Sequence, residues 1–339
     1  MKAAFITGVT GQDGSYLSEF LLTKGYTVYG MCRYCSEKKR GRLTHLVGHA
    51  EFHLLEGDLT DTARINSIIN SFCQYDSLEV FNLGAQSHVK VSFDQPEYTA
   101  NVDALGTLRL LEAIRQCGFT NRIRFYQAGT SEMFGASPPP QDETTPFYPR
   151  SPYGVSKLYS YWIVKNYRES YGMFACTGIL FNHESERRGE EFVTRKITIG
   201  LADYLKTGKA LELGNLDARR DWGHAQDYVE AMWLMLQKDA PEDFVVGTGE
   251  THSIREFIEL ASEHASLKLT WSGTGTDEEA RDAAGNIVIS INPEFYRPAE
   301  VDFLHSNPTR TRDVLGWAPS ISFAELVKRM MEHDLKTSA

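Results

Sequence analysis

Short apolar runs punctuate the first half of the chain, each bounded by turn-forming residues. Lys2-Ala3-Ala4-Phe5-Ile6 reads as a buried strand, and comparable runs predict strands at 27–32, 51–56, 78–83, 122–127 and 174–179. Tyr16, Leu17, Phe20, Leu21 and Leu22 carry the spacing of a helix packed on a sheet, and further helical patterns cover 61–72, 98–116 and 153–171. Strand–helix alternation with short connections predicts an α/β fold: a doubly wound parallel sheet with helices on both faces. After about Leu180 the rhythm breaks into more irregular, more charged segments. Residues 244–246 read as one later strand returning to the sheet. Residues 271–285, acidic and glycine-containing, read as a surface loop. The expected division is a sheet domain over 1–180 and a smaller C-terminal α/β domain, assembled from pieces, over most of 181–339.

Composition narrows the class. A chain of 339 residues with a 42% hydrophobic fraction can bury a large core. The net charge of −10 argues against general affinity for nucleic acid or anionic membranes. No charged-then-apolar leader and no bilayer-length apolar run are visible, which makes a cytoplasmic protein the default expectation. Cys32 and Cys35 form a CxxC pair, but no second pair or histidine cluster completes a zinc site, so all five cysteines are read as free thiols. His45 and His49 likewise lack a third ligand, and no metal is expected.

Two motifs carry the chemistry. Between the first strand and first helix lies Thr7-Gly8-Val9-Thr10-Gly11-Gln12-Asp13-Gly14. A glycine-rich turn there lets a pyrophosphate approach the backbone, and the helix N-terminus holds the anion. The Gly8-x-x-Gly11-x-x-Gly14 spacing is one residue longer at its first gap than the usual dinucleotide fingerprint. The second motif is Tyr153-Gly154-Val155-Ser156-Lys157, which places a phenol and an ammonium one helical turn apart. The lysine charge is expected to favour the phenolate, which can take a proton from an alcohol while a nicotinamide removes the adjacent hydride. Gly129-Thr130-Ser131-Glu132 follows the fifth predicted strand, at the end of the sheet where such folds place their sites.

With these motifs, and with FNLGAQSHVKVSF, GTSEMFG, FNHES, FVTRKI, RDWGHAQDYVEAMW and YRPAEVDFL, the chain resembles the extended short-chain dehydrogenase/reductases. These are nucleotide-sugar-modifying enzymes with a Rossmann domain and a smaller substrate domain, and the likeness is to members that act on GDP-mannose.

The second strand ends on Arg33, with Ser36 nearby, where an NAD site would present an acid. A cation and a hydroxyl there suit a 2′-phosphate and so favour NADP, the alternative being a solvated strand-end arginine. The resemblance adds Asp58 and Leu59 beside the adenine; Leu83, Gly84, Ala85, Ser87 and Tyr98 along the nucleotide; and the more distant His183 and Arg188. Relatives usually carry a second arginine where Tyr34 stands and a serine at Cys35. For the substrate it implies Ser87, Asn182, Lys196, Arg220 and Arg297 near the ribose or diphosphate, and Glu300 at the guanine edge. A surface ion pair is the competing reading for each residue from Asn182 onward in that group.

The implied reaction is an internal oxidation and reduction. Tyr153, assisted by Lys157, takes the C4 hydroxyl proton while Thr130 bonds the same oxygen, and the C4 hydride moves to NADP⁺. Glu132 removes the C5 proton, water leaves from C6, and the hydride returns there, giving GDP-4-keto-6-deoxy-mannose. Ser131 stands where some related dehydratases have an aspartic acid, which leaves Glu132 to carry both proton transfers. A homodimer or homotetramer is implied. A 4-keto-sugar reductase, an epimerase and a non-catalytic NADP-binding sensor remain rivals. The first two need no base at C5, and the third needs none of Thr130, Glu132, Tyr153 and Lys157.

Overall fold

The computed structural model describes residues 2–34, 41–295, 301 and 303–338. Its centre is a seven-stranded sheet containing β1 (Lys2–Thr7), β2 (Thr27–Cys32), β3 (Phe52–Glu56), β4 (Ser77–Asn82), β5 (Ile123–Ala128), β6 (Phe174–Leu180) and a last strand, Phe244–Val246. The spatial order is Phe244–Val246, β6, β5, β4, β1, β2, β3, and every pairing is parallel. The order reverses direction between β1 and β4, which opens a crevice at their carboxyl ends.

The apolar runs become strands because both faces are packed. Ala3 to Ile6 are 0% exposed, as are Val80 and Phe81 of β4. One face is covered by the Gln12–Thr23 and Ala225–Gln237 helices through Leu17, Leu21, Met232 and Met235. The other is covered by Ile65 and Ile69, Leu110 and Ile114, and Val164 and Tyr167 from three further helices. Each such side chain contributes about 1.5–3 kcal/mol when fully buried.

Residues 271–285 are not the predicted surface loop. Thr270–Ser272 and Glu279–Arg281 pair antiparallel, and with Ile287–Ile291 and Leu211–Leu213 they make a second, four-stranded sheet. Ala280 points inward at 0% exposure between Glu279 and Arg281, so a single small apolar residue carries an alternation that charge obscures. Glu278 pairs with Arg255 at 2.7 Å, and Asp282 caps a tight turn by accepting from the backbone N–H of Ala284 and Asn286. This sheet shares an apolar cluster with the Val193–Thr207, Ile254–His264 and Phe323–Ser338 helices.

The predicted helix at 98–116 is also more complex. It begins at Pro96–Thr99, widens into a π turn at Ala100–Leu105 and resumes as Gly106–Gln116. Among the described residues no helix is long and apolar enough to cross a membrane. Cys73, Cys117 and Cys176 are free thiols, and Cys35 lies outside the described residues.

Candidate active site

The crevice is built by two loops that touch. Gly8 has φ +68°, and a Cβ there would lie 2.8 Å from Gly84 Cα, so only glycine fits. A Cβ on Gly14 would lie 2.6 Å from Val9 Cα, which explains the third glycine of the motif. Thr7 Oγ1 donates to Asn82 Oδ1 at 2.7 Å and accepts from Gly84 N–H at 2.9 Å, and Asn82 donates on to Gln127 at 2.8 Å. This buried chain locks the ends of β1, β4 and β5 together. Gly11 caps the Gln12–Thr23 helix with no side-chain hydrogen bond, which leaves the first helical N–H groups to an anion. The backbone cradle and the helix end fit a dinucleotide pyrophosphate.

A cleft of about 850 Å³ opens here. The glycine turn (Gly8, Thr10, Gly11, Gln12, Asp13), Arg33, Asp58, Leu59, Leu83, Gly84, Ala85, Ser87 and Tyr98 line it. Thr130, Glu132, Tyr153 and Lys157 also line it, as do Asn182, His183, Arg188, Lys196 and Arg220. Ser36, Arg297 and Glu300 fall outside the described residues.

Several of these side chains bind one another. Gln12 donates to the His183 carbonyl at 3.0 Å and accepts from Ser185 at 2.8 Å, and Asp13 meets His183 Nε2 at 2.8 Å. Together they strap the glycine turn to the segment after β6. Burial works against the Asp13 charge, but His183 holds the carboxyl below its ordinary value; His183 is raised by the same partner despite its own burial. Arg33 donates to the Tyr98 hydroxyl at 2.7 Å. Asp58 accepts from the backbone and hydroxyl of Thr60, both at 2.8 Å, which fixes the turn after β3. Arg188 pairs with Glu184 at 3.0 Å and lies 3.7 Å over the Phe192 ring. Lys196 sits 3.5 Å over Phe295; burial lowers its pKa, Glu212 opposes this and Lys90 adds to it. Arg220 is buried on the short strand Arg219–Arg220, paired with His252–Ser253.

The central quartet is set by two local structures. Thr130 caps the 3-10 turn Ser131–Met133, its hydroxyl accepting from Glu132 N–H at 3.2 Å, and Glu132 is 8% exposed. Ser151 caps the Pro152–Tyr171 helix by accepting from Gly154 N–H at 3.0 Å, with Pro152 in the first turn. The helix thereby presents Tyr153 and Lys157 to the sheet at 8% and 3% exposure.

The expected lysine effect on the phenol is not what dominates. Burial raises the Tyr153 pKa well above that of an ordinary phenol, the Asp103 charge adds to this, and hydrogen bonding with Thr130 opposes it. Lys157 directs an N–H to the Ala128 carbonyl at 2.9 Å, with its nitrogen 5.9 Å from the Tyr153 ring centre. Burial lowers its own pKa, with Asp103 opposing. Sequence reasoning gave no role to Asp103, Lys90, Phe192 or Phe295; Lys90 and Phe192 lie within FNLGAQSHVKVSF and FVTRKI, but the partners that give them one come from distant segments.

Known proteins match this chain throughout. A sequence model of the family described as GDP-mannose 4,6 dehydratase matches residues 5–330. A human protein of that name is 54% identical over 99% of this chain and 92% of its own length. A GDP-mannose 4,6-dehydratase from Vibrio cholerae is 53% identical over 99% of this chain and 95% of its own. Among solved structures, a Thermus thermophilus UDP-glucose 4-epimerase complexed with NAD superposes with a TM-score of 0.80 at 25% identity, covering 98% of each chain. Likeness at this level runs through both sheets and the cleft between their loops, and the chain belongs to the GDP-mannose 4,6-dehydratase family.

Proposed function

We infer that this chain is a hydro-lyase that dehydrates GDP-mannose to GDP-4-keto-6-deoxy-mannose, using a bound nicotinamide dinucleotide. Family membership over 5–330 carries this reading, and a cleft of about 850 Å³ lined by the glycine turn, Thr130, Glu132, Tyr153 and Lys157 supports it. Residues 1–180 hold the cofactor, joined by the 244–246 strand, and most of 181–339 serves the sugar nucleotide. Among the cofactor residues, the glycine turn takes the pyrophosphate. Arg33, just past the end of β2, takes a 2′-phosphate, which makes the cofactor NADP. A bound oxidised nicotinamide would supply the hydride acceptor and donor for the two redox steps.

The chain's own residues move the protons. Tyr153 accepts the C4 hydroxyl proton, with Thr130 bonded to the same oxygen and Lys157 stabilising the phenolate. Glu132, on the turn beside Thr130, takes the C5 proton once C4 is a ketone and delivers it to the departing C6 hydroxyl; C5 regains a solvent-exchanged proton as C6 is reduced, balanced by the C4 hydroxyl proton that Tyr153 took and releases. Ser87, Asn182, Lys196 and Arg220 contact the sugar nucleotide, the cations meeting its diphosphate.

Val155 (55% exposed), Tyr159 (39%) and Trp162 (53%) lie on one face of the Tyr153 helix, and Leu105 (41%) adds to the exposed apolar surface. Such surface suits a homodimer or homotetramer.

Incubating the protein with GDP-mannose and assaying for a 4-keto-6-deoxy sugar tests the reading, and absence of that product overturns it. Adding reduced cofactor to the same assay detects a further 4-keto reductase activity.

Arg33→Ala is expected to weaken NADP much more than NAD. Loss of one charge-assisted contact is worth about 1.5–3 kcal/mol, roughly a tenfold to hundredfold change in Kd. Equal losses for both cofactors in a titration would remove Arg33 from the 2′-phosphate.

A further inference from the structure

The helical run that borders the cleft widens into the π turn Ala100–Leu105. Such turns often mark functional sites, and this one contains Asp103, 2% exposed. Its Oδ1 accepts from Gln86 N–H at 2.7 Å, next to Ser87 of the cleft wall. Its main-chain carbonyl accepts from Thr107 at 2.9 Å and from Ser160 at 2.8 Å. Its Oδ2 is buried without a hydrogen-bond partner. A carboxylate in that position is costly unless an opposite charge compensates it. Ser160 lies on the same helix as Lys157, about one turn further on, and Lys157 is buried there with one N–H on the Ala128 carbonyl at 2.9 Å.

We propose that the Asp103 carboxylate is the counter-ion of the Lys157 ammonium, a positioning residue that holds this charge beside the Tyr153 phenol. The proposal rests on the roles given above to Tyr153 and Lys157. The other charged groups are Asp13, acting on Lys157, and Glu132 and Arg188, acting on Tyr153. Burial lifts the Asp103 carboxyl to about 6, against the pull of Lys157 and the Gln86 N–H, both of which favour its charged form.

The sign of the effect follows from that charge. Asp103 favours the protonated form of both Lys157 and Tyr153. Turnover needs the phenolate, which sets the rising limb of the pH profile, and the ammonium, which sets the falling limb. Asp103→Asn therefore moves both limbs of the kcat profile toward lower pH by about one unit. On the alkaline side that is roughly a tenfold loss of rate relative to wild type. Unmoved limbs with a uniformly lower plateau would make Asp103 structural and overturn the proposal.

Should Asp103→Asn fail to fold, Lys157→Met decides. Without the ammonium, Asp103 must either ionise unpaired or hold its proton to higher pH. The melting temperature of Lys157→Met should then fall further below wild type at pH 8 than at pH 5.5. An equal deficit at both pH values overturns the proposal. If Tyr153→Phe turns over at the wild-type rate, the role of the phenol falls, and the melting comparison still decides whether the two charges are paired. If Tyr153→Phe is inactive and the Asp103→Asn limbs do not move, only the counter-ion assignment falls.

Discussion

Glu132→Gln is expected to arrest the reaction halfway, with kcat lower by about a hundredfold to ten-thousandfold while GDP-mannose still binds. Glutamine keeps the shape and can hydrogen-bond, but it cannot take up a proton as a carboxylate does. C4 oxidation needs only Tyr153, Thr130 and Lys157 on this reading, so that step survives. In a single turnover, reduced-nicotinamide absorbance should rise and persist in Glu132→Gln, whereas in wild type it should rise and decay. Wild-type product formed in heavy water should carry deuterium at C5, and hydrogen label begun at C4 should finish at C6 of the same molecule. Formation of the 6-deoxy product by Glu132→Gln at the wild-type rate would make Glu132 structural. A reductase or an epimerase would show no such arrest, because neither needs a proton removed from C5.

Tyr153→Phe is expected to stop the reaction one step earlier. Phenylalanine preserves the packing of a ring that is 8% exposed but removes the group that accepts the C4 proton. Mixing this variant with GDP-mannose and oxidised cofactor should give reduced cofactor about a hundredfold to ten-thousandfold more slowly than wild type. The wild-type rate of this step should also climb with pH above neutrality, because burial holds the Tyr153 phenol above its ordinary value and the phenolate becomes more populated as pH rises. Residual oxidation in Tyr153→Phe should lack that dependence. Near-normal turnover in the variant would reduce Tyr153 and Lys157 to a packed helix face.

These two predictions differ in how far they can be read from the chain. Tyr153 and Lys157 are four residues apart, so helical geometry puts them on one face whatever surrounds them. Glu132 follows Thr130 in a short turn after β5, and a site at the carboxyl end of that strand follows from the parallel order of the sheet. Gly8 and Gly14 are legible for a similar reason, since a tight strand-to-helix turn crowds the backbone. The strands themselves could be read because both faces are buried, which makes apolar runs obligatory.

Tertiary contacts decided the rest. Asp13 and His183 are 170 positions apart and meet at 2.8 Å, so residues that look available to a cofactor also brace the turn. The Thr270–Ser272 and Glu279–Arg281 strands are stabilised by neighbouring strands and by one inward alanine, a pattern that local charge conceals. The raised pKa of Tyr153 is set first by burial and then by Asp103, both supplied by the folded chain rather than by local spacing. Local periodicity thus determined the sheet, the glycine cradle and the phenol–ammonium pair, because each is enforced within a few residues. The electrostatic setting of that pair was decided by groups brought from separate loops, and those distances exist only once the chain has folded.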